Sequence, residues 1–304
     1  MSNNISVSII IVSYNTKKLT EQCLQSVFKQ TRDIPFEVIV SDNGSTDGSI
    51  EIIKQKFPDV ILIKNNKNLG FGTANNRAVQ VAKGEFVFYL NSDTVLLNNA
   101  IKIFYDYWIE HNNICALGCI LQNSKGTAIH SGGQFPTYKY LCKYYFFRML
   151  KNYGKAFVKI IHLEKFLRKL YKKRIKNNFV QLPGEIDYIT GADLFIKNDE
   201  NAYFDENFFL YYEETDLELR LKEKTKKKCV LLDSPKIVHL TDKGNPKRLI
   251  ESKSQILNQI SAIKYAKKHL VTNPKLLKTI YFLNTCNYFI KKQIKNIDPE
   301  LLKF

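Results

Sequence analysis

The chain has 304 residues, 44% of them hydrophobic, and carries 46 Lys/Arg against 29 Asp/Glu for a net charge of +17. That length suffices for a sizeable core, so one α/β domain of about 200 to 250 residues with appendages is expected. Against this stand no basic leader ahead of the short apolar run Ile5 to Val12, no run near the roughly 18 apolar residues of a membrane span, and no paired metal spacing among Cys23, Cys115, Cys119, Cys142, Cys229 and Cys286. A protein on the cytoplasmic side with reduced thiols is expected, Cys115 and Cys119 being core.

In chain order, Val7 to Val12 is a β-branched, near-continuous apolar strand of the kind covered on both faces, with Tyr14-Asn15 at its carboxyl end. A helix follows, with Leu19, Cys23, Leu24, Val27 and Phe28 spaced by three and four. Phe36 to Val40 forms a second strand and runs into Asp42-Asn43-Gly44-Ser45-Thr46-Asp47-Gly48, where Ser45, Thr46 or Asp47 is the expected cap of a helix from Ile50 to Phe57. A third strand, Val60 to Ile63, leads through Asn65 to Gly72 into a helix near Thr73 to Ala82, then a fourth strand, Phe86 to Leu90. The alternation predicts a doubly wound sheet. Its strand ends carry Asn15, Asp42, Asn68 and Asp93, where ligands bind in open α/β sheets.

Beyond Val180 come Tyr188-Ile189-Thr190-Gly191-Ala192-Asp193, a strand Leu194 to Lys197, a helix starting near Glu213 with Leu217, Leu219 and Leu221, and strands Val230 to Leu232 and Ile237 to Leu240. The charge is segregated. Residues 139 to 178 carry +12 and residues 243 to 304 carry +10, leaving the remainder at −5. From Phe146 to Ile175, aromatic and aliphatic residues recur every three or four among lysines and arginines, the pattern of an interfacial helix on an anionic membrane surface; Leu276 to Ile297 is a weaker version. Packing on the core or on a partner is the alternative for both. The oligomeric state is not readable.

The motifs VSIIIVSYNT, SDNGSTDGS, NNKNLGFGTANNRAV, GEFVFYLNSDT, YITGADLFIK and FDENFFLYYEETDLELR, ending in IVHL, occur in order over residues 5 to 240. Together they resemble the family 2 inverting glycosyltransferases of GT-A fold, and within them the rhamnosyltransferase-like branch that builds bacterial surface polysaccharides. The resemblance implies a Rossmann-like nucleotide-binding sheet with helices on both faces. Residues 1–138 would form its nucleotide-sugar half and 179–242 its acceptor and catalytic half, with basic amphipathic helical additions at 139–178 and 243–304.

It further implies that Asp42 contacts the nucleobase or ribose beside Tyr14 and Asn15, and that Asn43, Asn68, Gly70, Asn76, Asn91, Ser92 and Asp193 serve the nucleotide-sugar pocket. Asp93 and His239 would hold Mg²⁺ or Mn²⁺. Asn91 stands where other members often carry Asp, which leaves one carboxylate with most of the metal affinity. The base would be Glu214, longer than the more usual Asp, with Glu213 and Asp216 as alternatives. The implied partners are a UDP- or dTDP-sugar donor, a saccharide acceptor, lipid-linked in this reading, and the inner face of the cell membrane.

Each motif has a plainer reading: Asp42 as a surface turn, Asp93 as a helix cap, Glu213, Glu214 and Asp216 as complements to a helix dipole, and His239 as a core histidine. His130 has no partner identifiable from sequence. Two rival functions are a sugar nucleotidyltransferase, which the lack of a glycine-rich, lysine-bearing phosphate loop after the first strand disfavours, and a basic nucleic-acid-binding protein. The confinement of positive charge to striped helical segments argues against nucleic acid.

Overall fold

A computed structural model describes residues 5–160, 182–240, 249–271, 278, 279 and 282. Two compact units divide the chain: residues 1–135 with 179–245, and residues 136–178 with 246–304. In the first unit the chain runs β1 (Val7–Ser13), α1 (Lys17–Gln30), β2 (Phe36–Asp42), α2 (Ser49–Lys56), β3 (Ile61–Lys64), α3 (Phe71–Val79), β4 (Phe86–Asn91), β5 (Thr94–Leu96), α4 (Ala100–Glu110), β6 (Ile114–Cys119) and β7 (Gly132–Gly133). The second unit contributes α5 (Tyr138–Ile160). The first then resumes with β8 (Gly184–Ile186), β9 (Tyr188–Ile189), β10 (Asp193–Lys197), α6 (Glu213–Thr225), β11 (Lys228–Leu232) and β12 (Ile237–His239). The second unit adds α7 (Leu249–Tyr265), which ends in a π-helical turn, Ala266–Leu270.

The main sheet has eight strands in the order β3-β2-β1-β4-β10-β6-β11-β8. Its first four strands are parallel, as the sequence alternation predicts. The rest departs from a purely parallel, doubly wound sheet: β10 lies antiparallel between β4 and β6, and β8 is antiparallel to β11. Period-two alternation distributes each strand between two cores. Val7, Ile9 and Ile11 of β1 and Phe86, Phe88 and Leu90 of β4 pack with Leu24 and Val27 of α1 and Phe104 of α4. On the opposite face, Ile10, Val87 and Tyr89 pack with Ala78 and Val79 of α3 and Leu217 and Leu221 of α6. Cys115 and Cys119 are buried among these residues. The result is a mixed α/β sheet with helices on both faces.

Because β2 and β3 extend to one side of β1 while β4 returns on the other, the strand order reverses between β1 and β4. The crevice at the carboxyl ends of those two strands is where this architecture receives ligands. Two local expectations change. The cap of α2 is Gly48, not Ser45, Thr46 or Asp47, while Asp47 accepts the Ser49 amide through Oδ1 at 3.0 Å and the Lys17 amide through Oδ2 at 2.8 Å, tying together the starts of two helices. Helix α3 starts at Phe71, two residues early, because the Phe71 amide donates to the Phe209 carbonyl.

In the second unit α5 begins at Tyr138, eight residues ahead of the apolar pattern noted in the sequence. Leu141 and Tyr145 are buried, whereas Tyr140, Tyr144, Phe146, Phe147 and Leu150 are exposed. Residues 161–175 of the anticipated interfacial helix, and 276–297 apart from 278, 279 and 282, lie outside the described residues. Among the described residues no helix is long and apolar enough to cross a membrane.

Candidate active site

The crevice is built first from turns. Asp42, the last residue of β2, is fully buried, and its carboxylate organises the loop that follows: Oδ1 accepts the Gly44 and Ser45 amides at 3.1 and 2.8 Å, and Oδ2 accepts the Ser45 hydroxyl at 2.6 Å. Across from it Asn15 adopts a left-handed conformation at φ 52°. Its amide donates to Ser45 Oγ at 2.8 Å, and its side-chain oxygen accepts the Thr46 amide at 2.8 Å. Tyr14 beside it is exposed. The Asp42 turn is therefore a structured element, its turn chemistry being the frame of the pocket rather than an alternative to it.

Asn43 continues the network inward, donating from Nδ2 to the Gly70 carbonyl at 3.0 Å and to Asn68 Oδ1 at 3.3 Å. Asn65, which the motif reading does not single out, bonds Ser41 and Asn43, each at 3.0 Å, and accepts from Arg77 at 3.0 Å. Gly70, at φ +86°, is where this turn touches the segment before α6, and a Cβ there would strike the Phe209 carbonyl oxygen. Asn76 points away from the crevice. Its amide is spent on the Phe204 backbone, accepting the N–H at 2.8 Å and donating to the carbonyl at 2.9 Å, with a further bond to Glu206 at 3.1 Å. It acts as a clamp on the 204–212 segment, which differs from the donor-pocket place expected of it.

At the end of β4, Ser92 Oγ lies 3.2 Å from Thr16 Oγ1. Strands β5 and β12 pair antiparallel, with His239 opposite Thr94, and the Leu240 amide donates to the Asp93 carbonyl. This pairing carries His239 Nε2 to 3.1 Å from Asp93 Oδ1 and 3.5 Å from Asn91 Nδ2. Residues 146 positions apart thus meet as a carboxylate and an imidazole, which the plainer readings as a helix cap and a core histidine do not anticipate. No group of three or more His, Cys, Asp or Glu side chains able to hold a metal occurs among the described residues. Asp93 supplies the one carboxylate with which a cation of the Mg²⁺ type can be held, substrate phosphates and water completing the shell, whereas the His239 imidazole suits less hard divalent metals.

The third component is the first turn of α6. Tyr211 and Tyr212, both with positive φ near 70°, deliver the chain into it, a strained entry for two bulky residues. Glu213 is buried, with Oε2 unpartnered among the described residues. Burial, and then the neighbouring Glu214 charge, push its carboxyl well above the ordinary range. Glu214 is partly buried, and desolvation raises its pKa to about 7. Asp216 is fully buried and paired to Arg220 Nε at 2.8 Å, so its carboxylate is committed to an ion pair. Glu218, absent from the sequence reading, is also fully buried; both of its oxygens accept the Ile189 amide, at 2.9 and 3.0 Å, and burial drives its pKa well up.

Asp193 lies apart from the crevice surface. It sits fully buried at the start of β10, its Oδ2 accepting the Cys119 amide at 2.6 Å and its Oδ1 unpartnered. Desolvation lifts it to about 8. Through the Cys119 amide it joins β10 to β6 in the interior of the sheet.

A model of the family described as glycosyl transferase family 2 matches residues 8–175. The poly(ribitol-phosphate) beta-glucosyltransferase of Bacillus spizizenii is 33% identical over 119 residues, 38% of this chain and 19% of that protein. The UDP-Glc:alpha-D-GlcNAc-diphosphoundecaprenol beta-1,3-glucosyltransferase WfaP of Escherichia coli is 38% identical over 112 residues, 33% of this chain and 44% of that protein. The chain thus spans less than half the length of these relatives. Among solved structures, the mannosyltransferase PcManGT from Pyrobaculum calidifontis, in complex with GDP-Man and Mn²⁺, superposes with a TM-score of 0.55 at 16% identity, covering 93% of this chain and 71% of that one. The last likeness is one of fold.

Proposed function

The chain belongs to glycosyl transferase family 2, and from that premise we propose that it is an inverting, metal-dependent transferase moving a sugar from a UDP- or dTDP-sugar to a saccharide acceptor in polysaccharide biosynthesis. The observation that carries this reading is the Asp93–His239 pair just past the end of β4, the strand that flanks β1 on the side opposite β2, whose end is Asp42. Asp93 and His239 would hold Mg²⁺ or Mn²⁺, with Asn91 alongside, and the donor would lie between them and the Tyr14, Asn15, Asp42 and Asn43 turns. A bound cation supplies Lewis-acid neutralisation of the charge that develops on the leaving diphosphate.

Glu214 is the proposed base. Its carboxylate takes the proton from the acceptor hydroxyl while that oxygen bonds to the anomeric carbon, and the bond to the diphosphate breaks on the opposite face, so configuration inverts. A base with a pKa near 7 combines a useful ionised fraction at neutral pH with proton affinity enough to take the proton. Burial and the neighbouring Glu214 charge both push the Glu213 carboxyl upward, which favours its neutral form beside the base. The donor sugar is left to the screen; a rhamnosyl donor is one candidate class. Hydrolysis of a panel of UDP- and dTDP-sugars with Mn²⁺ or Mg²⁺ tests the reading, and release of pyrophosphate from a nucleoside triphosphate instead of nucleoside diphosphate from a sugar nucleotide would replace it with nucleotidyl transfer.

The acceptor is proposed to be lipid-linked and met at the cytoplasmic membrane face. In support, the first turns of α5 expose Tyr140, Tyr144, Phe147 and Leu150 among Lys139 and Lys143, and residues 139–178 carry +12. Sedimentation with anionic vesicles, reversed by salt, is the expected result; equal solubility with and without vesicles would remove this part.

A further inference from the structure

From Glu214 the helix α6 presents a ladder of side chains at four-residue steps toward the strand that precedes β10. Gly191 packs against Glu214, a Cβ at that position lying 3.8 Å from Glu214 Cβ. Glu218 takes the Ile189 amide, and Lys222 Nζ bonds Asp187 Oδ1 at 3.0 Å. These three contacts line up along α6 with a segment that runs from Asp187 through β9 into the turn at Gly191. The backbone of residues 187–191 is thereby fixed along α6, beginning at the proposed base.

At the far end of this strand lies an aromatic cluster that the proposed mechanism does not use. The Tyr188 ring lies across Gly133, where a Cβ would come within 3.0 Å of it, and glycine is what admits the ring. Phe135 stacks beside it at 6.5 Å with 23° between planes, and His130 Nε2 stands 3.4 Å from the Tyr188 hydroxyl. Asp187 braces Phe135 by accepting its amide at 3.1 Å while Lys222 approaches the same ring at 5.5 Å. Tyr188 and Phe135 are both half-buried and so present part of their surface to solvent. Between cluster and base, the Thr190 hydroxyl is buried with no hydrogen-bond partner among the described residues.

We propose that Tyr188 and Phe135 form a saccharide shelf that receives the second sugar of the acceptor, counted from the hydroxyl that is glycosylated. The C–H face of a pyranose is apolar with a slight positive charge and matches the negative face of an aromatic ring, while its rim hydroxyls need polar partners such as His130. Gly191 follows Tyr188 by three residues through a turn, a separation of at most about 10 Å, which is the span of one sugar ring between the shelf and Glu214. The proposal rests on the transferase reading above and extends it by stating that the acceptor is at least a disaccharide unit.

The test uses the full chain, the donor found by the hydrolysis screen, and the total lipid-linked saccharide extract of the cells that make the protein as acceptor. Tyr188→Leu is expected to raise the acceptor concentration for half-maximal transfer about tenfold, a change of roughly 1.4 kcal/mol, while donor hydrolysis in water stays unchanged. Tyr188→Phe, which keeps the ring, is expected to stay within about twofold. On the wild-type enzyme, irradiating the aromatic proton envelope is expected to transfer saturation to the acceptor's sugar C–H protons, a readout that no fold defect in a variant can mimic. An acceptor dependence identical in Tyr188→Leu and wild type, absence of saturation transfer, or refusal of the extract by an enzyme that hydrolyses its donor would overturn the shelf. Absence of any sugar-nucleotide hydrolysis by the wild type would instead sink the transferase reading itself.

Discussion

The two sides of the crevice treat their carboxylates in opposite ways. On the β2 side, the Asp42 oxygens are met by two amides and a hydroxyl, and the neighbouring asparagines share their amides in a closed network. On the α6 side, Glu213 keeps an oxygen without a partner among the described residues, and the pKa values of Glu213, Glu214 and Glu218 are all raised by burial. The first arrangement stabilises a shape; in the second, burial disfavours the charged carboxylates, at a cost in stability. A site that must recognise one molecule and deprotonate another needs both, and the fold separates them onto different elements.

Five substitutions sharpen this contrast, beginning with the largest effect. Glu214→Gln removes the proton acceptor and leaves the β2 side intact, so transfer should fall by roughly 10²- to 10⁴-fold while calorimetric affinity for the donor nucleotide holds. In the wild type, where the base works only when ionised, the rate should rise from acid pH with a midpoint near 7. A donor affinity that collapsed together with turnover would show that the two sides are not separable.

His239→Ala comes next. Loss of the imidazole beside Asp93 should weaken Mn²⁺ activation about 10- to 100-fold, read as the metal concentration for half-maximal hydrolysis, and Asp93→Ala should exceed it because it removes the charge. Equal activation in wild type and both variants would take the cation away from β4.

Asp193→Asn probes stored protons away from the chemistry. Its folded-state pKa of about 8 lies above that of the unfolded chain, so the folded state holds the proton longer. Its contribution is fully present below pH ~4 and is lost as pH rises through about 8, a fall on the order of a few kcal/mol. Denaturant melts across that window should show a flatter dependence in the variant, and a slope unchanged from wild type would place the proton elsewhere. Asn76→Ala, the mildest, leaves the buried Phe204 amide without its acceptor and should cost about 1–3 kcal/mol, with the donor affinity unaltered if the clamp role is correct.

The same contrast marks how far the sequence could be read. The β1–β4 half follows local rules: apolar strands of four to seven residues, helices with three- and four-residue periods, and Asn, Asp and Gly at the turns between them. Its elements fall within a few residues of expectation, and Asp42 and Asp93 sit at strand ends as anticipated. The second half depends on contacts between distant residues. The antiparallel insertion of β10 between β4 and β6 has no local signal, since strand direction follows from where the connecting chain can return. Glu218 in Leu217-Glu218-Leu219 has the spacing of a surface acid, and its burial becomes visible only once Ile189 arrives. Asn76 and Asp193 looked like ligand groups because polar residues in motifs invite that assignment, whereas each satisfies a neighbouring backbone amide.

The pairing of β5 with β12 has a temporal consequence. During synthesis Asp93 emerges 146 residues before the imidazole it meets. At ~5–20 residues per second that interval is on the order of 7 to 30 s. A nascent chain with its first four strands already arrayed therefore lacks one of the two side chains proposed to hold the cation, and any competence for divalent ions that depends on both arises late, once the ribosome has passed residue 239.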